Sequence, residues 1–163
     1  VFIGMVVTRP IISSALSIAV GLEGLAAGAA LTGCCCQMIG FAVMSYKENK
    51  VGGLISQGLG TSMLQIPNII KNPLIWIPPT LASALLGPIS TTVFKMKADS
   101  VGAGMGTSGL VGQFSTYSVM GNEAFIGIAL LHFLLPAVLS YVIAMYMRKK
   151  GYIKENDLLL QNK

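Results

Sequence analysis

Residues 51–71 read VGGLISQGLGTSMLQIPNIIK, and residues 101–121 read VGAGMGTSGLVGQFSTYSVMG. Both segments are apolar and rich in glycine, yet each carries several hydroxyl and amide side chains. The run GLGTS at 58–62 returns as GMGTS at 104–108, displaced by 46 residues. Each copy also precedes a cleaner apolar run, so the shared context predicts an internal repeat.

The composition of the whole chain places these segments in a membrane. Of 163 residues, 53% are apolar and only 10% are charged, and the mean hydropathy is +0.72. A soluble domain normally carries about 25% charged residues, because water must solvate its surface. The sequence therefore predicts an all-α integral membrane protein, in which lipid replaces water and helices satisfy the backbone.

Several classes of protein are disfavoured by the same inspection. The net charge of +5 does not indicate nucleic acid as a partner, since the basic residues lie at the ends of apolar segments. Cys34, Cys35 and Cys36 are consecutive and point in different directions on a helix, so we interpret them as packing residues rather than metal ligands. No cofactor motif is found, and no catalytic residue is predicted, because neither a Ser/His/Asp order nor an HExxH pattern occurs.

The remaining apolar stretches define the domain organisation. The stretch at 10–46 is too long for one span, and Glu23 with its small neighbours predicts two short helices, or one broken helix, meeting near that residue. Runs at 73–94 and 124–147 predict further helices, with Trp76 as an interfacial anchor of the first. We interpret 1–150 as a transmembrane domain, a fragment whose natural start lies upstream, and 151–163 as a frayed or weakly helical cytoplasmic tail.

The Gly-rich segments allow two membrane arrangements. If both cross the membrane, Lys47, Lys95 and the basic cluster at 148–150 lie on one side and Lys71 lies alone on the other, as the positive-inside rule favours. If both are re-entrant hairpins, their tips reach the midplane and the two hairpin-plus-helix units are inverted, a common transporter plan. The density of polar residues favours re-entrance, because backbone freed at a Gly-rich break must line a cavity. Either way, the fold is a multi-helix transporter core with re-entrant or broken helices.

Three stretches carry a family resemblance. They read QMIGFAVMSYKEN at 37–49, GLGTSMLQIPN at 58–68 and NPLIWIPPTLASA at 72–84, the last followed by GPIS at 87–90. They resemble the C-terminal half of enzyme IIC of the bacterial phosphotransferase system, and PfoR-like regulatory proteins form the nearest branch. The resemblance covers most of the chain, and WIPPTLAS at 76–83 is its most specific part.

This resemblance implies a multi-pass permease component of the bacterial cytoplasmic membrane that binds a sugar and alternates access. It implies a homodimer and a phosphocarrier IIB subunit or domain as a partner, because this chain has no phosphoryl-carrying residue of its own. Whether the chain counts as an enzyme depends on that partner. The alternative is a membrane sensor or regulatory protein with the same fold that does not transport. An ion-coupled transporter of a small organic anion is a third reading.

Polar residues inside the apolar segments are the candidates for binding the sugar. A carboxylate at Glu23 can accept hydrogen bonds from hydroxyls or carry a proton, although an exposed turn between two helices is the alternative. Amides and hydroxyls of the Gly-rich segments match the mixed donors and acceptors of a sugar, with interhelical hydrogen bonds as the alternative. The predicted substrate-binding residues are Glu23, Gln57, Thr61, Ser62, Gln65, Asn68, Thr107, Ser108 and Gln113.

Two further expectations concern single positions. Gly60 and Gly106 are equivalent in the two copies, and we predict that each needs a positive φ or close backbone approach. His132 lies in the middle of an apolar run and is interpreted as a buried histidine with one hydrogen-bonded neighbour, or else as a proton relay or a sugar ligand.

Overall fold

The computed structural model describes residues 12–160, and it is helical throughout most of that range. Within residues 12–160 no strand forms, apart from a single bridge that pairs Gly24 with Ala98. The α-helices are α1 (12–19), α2 (Gly24–Met44), α3 (Tyr46–Ile55), α4 (Ile66–Lys71), α5 (Ile77–Thr92), α6 (Ser100–Ala103), α7 (Val111–Met120), α8 (Ala124–Gly127) and α9 (Leu135–Lys149). Wider π-helical turns, Ser56–Gly60 and Ile128–Leu134, and tighter 3₁₀ turns, Ser62–Gln65, Pro73–Trp76, Ser108–Leu110 and Gly121–Glu123, connect them.

Three packed helices, α2, α5 and α9, form the core of the molecule. Phe41, Met44, Ile75 and Met147 pack together at one end, which we call the Arg148 end because the Arg148 guanidinium donates to the Met44 carbonyl there, at 3.2 Å. At the other end, which we call the Lys95 end, the backbones of Gly24 and Ala98 pair and the side chain of Met96 packs against Gly127. The helix α2 therefore runs from the Lys95 end to the Arg148 end, α5 returns, and α9 runs in the same direction as α2.

Glu23 marks the break that the sequence predicted in the first apolar stretch. The backbone of Glu23 is extended, and the 21-residue helix α2 begins immediately after it. This helix and the 20 residues Pro73–Thr92 are each long and apolar enough to cross a membrane. Both spans lie within two residues of the helices predicted there.

The apolar helical stretch Ser108–Lys149 is not one straight span. Its 42 residues would extend about 63 Å as a continuous helix, twice the thickness of the hydrocarbon core. Gly121 divides it with φ of 64°, a conformation that only glycine adopts at low cost. The Met120 sulfur accepts a hydrogen bond from the Lys97 amide at 3.1 Å, and Gly127 lies against Met96. The end of α7 and the start of α8 are therefore both at the Lys95 end.

The first Gly-rich segment is a re-entrant hairpin, which we call hairpin 1. It leaves the Arg148 end after Ser45 and returns to the same end at Lys71, where Asn72 donates to the carbonyl of Tyr152 at 3.0 Å. Its tip, 60–62, lies beside Cys34 and Gln37, which are near the middle of α2. Hairpin 1 thus enters the bundle to about half its depth.

The second Gly-rich segment, hairpin 2, is re-entrant from the opposite end. Asp99 begins it at the Lys95 end, where its carboxylate accepts from the Ser115 hydroxyl at 2.7 Å on the returning leg. Its tip, 104–108, lies against the same part of α2 as the first tip. Each hairpin is followed by a spanning helix, so the two units form the inverted repeat expected from the re-entrant arrangement.

Charge orients this arrangement in a membrane. Of the basic residues within 12–160, Lys95 and Lys97 lie at the Lys95 end, whereas seven lie at the Arg148 end: Lys47, Lys50, Lys71, Arg148, Lys149, Lys150 and Lys154. The positive-inside rule predicts that the Arg148 end faces the cytoplasm.

This orientation makes a labelling prediction. A cysteine that replaces Lys95 or Lys97 is expected to react with a membrane-impermeant thiol reagent added to intact cells, because the predicted orientation places these residues outside. A cysteine that replaces Lys71 should react only after permeabilisation, and the unsubstituted chain gives the background of the native cysteines. Labelling of the Lys95 variant only in permeabilised cells would contradict the re-entrant arrangement.

The tail is the main difference from the expected fold. We expected a frayed or weakly helical segment, but Ile153 is only 3% exposed and Leu158 is fully buried, and both pack into the core cluster at the Arg148 end. Asn49 fixes the tail further by donating to the Leu158 carbonyl at 2.7 Å and accepting from the Leu160 amide at 2.8 Å. The described part of the tail, 151–160, is therefore a packed strap across hairpin 1.

Candidate functional site

The tips of the two hairpins touch in the interior of the bundle. Thr107 is fully buried, and its hydroxyl donates to the carbonyl of Gly58. The same hydroxyl lies 3.6 Å from the Met38 sulfur of α2. This contact joins the two copies of the repeated motif directly, so the internal repeat is also a spatial pair.

A central cavity of about 170 Å³ lies where the tips meet. It is bounded by α2, by both Gly-Thr-Ser motifs and by one residue of α1. Its lining residues are Ser13, Cys34, Gln37, Met38, Gly60, Thr61, Ser62, Met63, Gly104, Met105 and Ser108. Among the predicted ligands, Thr61, Ser62 and Ser108 therefore line one cavity, and Thr107 lies directly behind it.

The hydroxyl groups at the tips differ in their partners. Thr61 is extended, with φ of −158°, and its hydroxyl oxygen accepts from the Met63 amide at 3.2 Å, which starts the following 3₁₀ turn. The hydroxyls of Ser62 and Ser108 make no hydrogen bond to another residue within 12–160. Both side chains are half-buried at the cavity, so their donors and acceptors are available to a ligand.

A second cavity of about 410 Å³ adjoins the first, between hairpin 1, α2 and the 3₁₀ turn that precedes α5. We call it the side cavity, and it shares Gln37, Ser62 and Met63 with the central one. Trp76 lines it and donates its indole N–H to the Gln37 amide oxygen at 3.0 Å, while that amide donates to Thr80 at 3.3 Å. Together the cavities have the ~300–1,000 Å³ typical of small-molecule sites.

Sequence reasoning missed Gln37 as a site residue and interpreted Trp76 only as an interfacial anchor. The signal for Gln37 was present, because it is a lone amide in the apolar run between Cys36 and Tyr46. An amide at that depth needs a partner, and here the partner is the tryptophan of a helix 39 residues further along the chain.

The three amides of hairpin 1 lie outside the central cavity. Gln57 donates to Ser45 at 2.7 Å, Gln65 donates to the Gln57 oxygen at 2.9 Å, and Asn68 donates to the Gln65 oxygen at 2.8 Å. Gln65 and Asn68 also donate to the tail carbonyls of Leu158 and Leu159, each at 3.0 Å. The structure thus places these predicted ligands close together. Their amides, however, hydrogen-bond to one another and to the strap.

Glu23 is not brought to the cavities. It is exposed at the start of α2, and its carboxylate accepts a hydrogen bond from the Ser100 hydroxyl at 3.5 Å. Cys34, which lines the central cavity, is 11 residues further along the same helix, a distance of about 16 Å. The position of Glu23 matches the exposed turn between two helices that was its alternative interpretation.

Gln113 pairs with His132 behind the second tip. The Gln113 amide nitrogen lies 3.3 Å from His132 Nδ1 and 3.5 Å from the Cys35 sulfur. His132 is fully buried in a π-helical turn and has this single neighbour, as the sequence suggested. The Gln113 oxygen and His132 Nε2 have no partner within the described residues. Neither residue lines the central or the side cavity, so this is a buried polar pair in the core.

The residues that line the two cavities carry hydroxyl, amide, thioether, thiol and aromatic groups, and none is a carboxylate, lysine or arginine. Such a surface suits a neutral polyhydroxylated ligand better than an ion, because no buried charge is present to compensate one. Two inverted hairpin-plus-helix units around a midplane cavity define a membrane transporter core.

A comparison with known families identifies that core more closely. Residues 1–160 match the family described as "Phosphotransferase system, EIIC", and the chain belongs to that family. The protein is therefore a membrane permease component of the phosphotransferase system, and EIIC domains work with IIB components. The match does not distinguish the PfoR-like branch, which stays a prediction. No curated protein and no solved structure shows significant similarity to this chain.

Proposed function

We propose that the chain binds a neutral sugar in the central and side cavities and passes it towards the Arg148 end for phosphorylation. The observation that carries this proposal is the convergence of both Gly-Thr-Ser motifs on one uncharged cavity beside α2. Ser62, Ser108 and Gln37 are positioned to hydrogen-bond the hydroxyls of the sugar. The exposed face of Trp76, which is 52% exposed, provides an apolar platform for a sugar ring in the side cavity.

We also propose the surroundings in which this site operates. The seven basic residues of the Arg148 end face the cytoplasm of a bacterial cell, and a phosphocarrier IIB subunit or domain docks there. The assembly is a homodimer, as the family resemblance implied, and the tail 151–163 lies on the cytoplasmic side. Crosslinking in native membranes, with a cysteine at Lys71, would give a IIB adduct if this orientation is right.

The single tryptophan of the sequence gives a direct assay of binding. Titration of the purified protein with a panel of free hexoses and hexitols is expected to change Trp76 fluorescence with a saturable dose dependence for at least one of them. An unchanged signal across the panel, confirmed by calorimetry, would contradict a sugar site beside Trp76. Saturable binding without uptake or phosphorylation in cells that contain a IIB partner would instead support the non-transporting sensor.

A matched pair of amide substitutions separates the cavity from the strap. Gln37→Leu is expected to weaken sugar binding about tenfold, because it removes one hydrogen-bonding amide from the cavity wall. Gln65→Leu makes the same chemical change in the strap network, and it should lower the melting temperature while leaving the affinity unchanged. Calorimetry on both variants checks this, since Gln37 contacts the fluorescent residue. Loss of affinity in Gln65→Leu alone would return Gln65 to the set of sugar ligands.

A further inference from the structure

A groove of about 350 Å³ lies between α2 and α9 at the Arg148 end, and none of its lining residues lines the central or the side cavity. Its inner part is apolar and includes Tyr141 and Met145 of α9, which are 47% and 41% exposed. Its outer part includes Lys47 and Lys149. From Tyr141 to Lys149 the helix rises about 12 Å, so the groove extends from the interface into the acyl region of a bilayer.

The charge of this groove is positive after its ion pairs are considered. Arg148 also lines it, but the guanidinium is held by the Glu48 carboxylate at 2.7 Å, and both side chains are largely buried. Lys47 is 4.0 Å from Glu155, and since both side chains are more than three-quarters exposed, that pair contributes little. Lys47 and Lys149 therefore remain as cations beside an apolar groove.

We propose that this groove binds one anionic phospholipid of the cytoplasmic leaflet. The phosphate lies between Lys47 and Lys149, and an acyl chain follows Tyr141 and Met145 into the membrane. Basic pockets between transmembrane helices on the cytoplasmic side characteristically accept anionic headgroups. A second copy of this chain is a poorer occupant, because a two-fold contact at the groove would bring the same lysines together.

Native mass spectrometry of the purified chain tests the lipid site. Phosphatidylglycerol is expected to bind more tightly than phosphatidylcholine of the same acyl chains. The double substitution Lys47→Gln with Lys149→Gln should weaken phosphatidylglycerol roughly 30-fold, equivalent to ~2 kcal/mol at ~1 kcal/mol per lysine. Lys95→Gln with Lys97→Gln removes the same charge at the opposite end and should leave the affinity unchanged.

The other outcomes overturn the proposal in identifiable ways. Equal affinity for the two lipids, or an equal loss in both double variants, would show that the groove does not select a headgroup. Glycerol phosphate binding as tightly as phosphatidylglycerol would indicate an anion site without a lipid chain. A dimer that forms only when phosphatidylglycerol is absent would assign the groove to an interface between copies. None of these results bears on the sugar cavities, whose fluorescence assay is independent.

Discussion

Gly106→Val is expected to destabilise the protein by roughly 2–6 kcal/mol, whereas Gly60→Val should fold normally and lose sugar binding. Gly106 has φ of +58°, and a Cβ there would lie 3.0 Å from both the Cys34 Cβ and the Met38 sulfur. A β-branched residue in this conformation costs ~1–3 kcal/mol, and overpacking adds ~1–3 kcal/mol. Gly60 has no positive φ, and a Cβ there would meet no atom within 4 Å.

The two glycines therefore differ, although their positions in the repeat are equivalent. The prediction that both require glycine is wrong for Gly60 because the first tip faces open space, while the second tip is wedged against α2. Since Gly60 lines the central cavity, a valine there takes up space that the sugar needs.

Melting temperature and sugar affinity, measured on the same preparations, separate the two effects. Gly52→Val is the matched control, because Gly52 is exposed, has no atom within 4 Å of an added Cβ and does not line either cavity. It should change neither quantity appreciably. Normal sugar affinity in a folded Gly60→Val variant would show that the tip of hairpin 1 is not part of the sugar site. A normal melting temperature for Gly106→Val would show that the tip of hairpin 2 can shift to accommodate the valine.

Much of the fold could be predicted from local chemistry. Apolar runs of about 20 residues predicted α2, α5 and the stretch from α8 to α9, and Glu23 predicted the break before α2. The polar content of the Gly-rich segments favoured re-entrant hairpins, because backbone groups that leave a helix within the membrane must be covered by protein. Tip residues such as Ser62 and Ser108 followed from the repeat, since equivalent positions of inverted units meet at the midplane.

The rest depended on contacts that leave no mark in local sequence. Gln65 and Asn68 were predicted as ligands for their amides, but the acceptors they found are backbone carbonyls of Leu158 and Leu159. Every residue has a backbone carbonyl, so the sequence of the tail does not indicate which carbonyls accept these hydrogen bonds. The pairing of Gln37 with Trp76 likewise joins separate helices, and only the packing of α2 against α5 brings them within 3.0 Å.

Amide side chains in a membrane protein can therefore serve two different tasks that composition alone does not separate. In hairpin 1 the amides are buried and mutually bonded, which fixes the hairpin to the tail. At the cavity, Gln37 is half-buried. Its amide accepts from Trp76, which also lines the side cavity, and donates to Thr80. Burial together with the identity of the partner distinguishes a scaffold amide from one that can meet a ligand.

The packing of the strap against the core can be tested by substitution. Leu158→Ala is expected to lower the free energy of unfolding by ~2–5 kcal/mol, because a fully buried leucine that packs in the core cluster of the Arg148 end leaves a cavity behind. Leu159→Ala is the matched control: its side chain is 42% exposed, so the change should stay within ~0.5 kcal/mol.

Two measurements report on this difference between Leu158 and Leu159. The first is the melting temperature in detergent, and the second is the rate of trypsin cleavage after Lys154, which lies within the strap. Trypsin should cut the Leu158→Ala variant faster than the control, because loss of the buried side chain frees the residue 158 carbonyl that Asn49 and Gln65 hold. Equal melting and equal cleavage in the two variants would mean that the tail does not hold hairpin 1. In that event the amides of hairpin 1 would be free to turn towards the cavity, as the sequence first suggested.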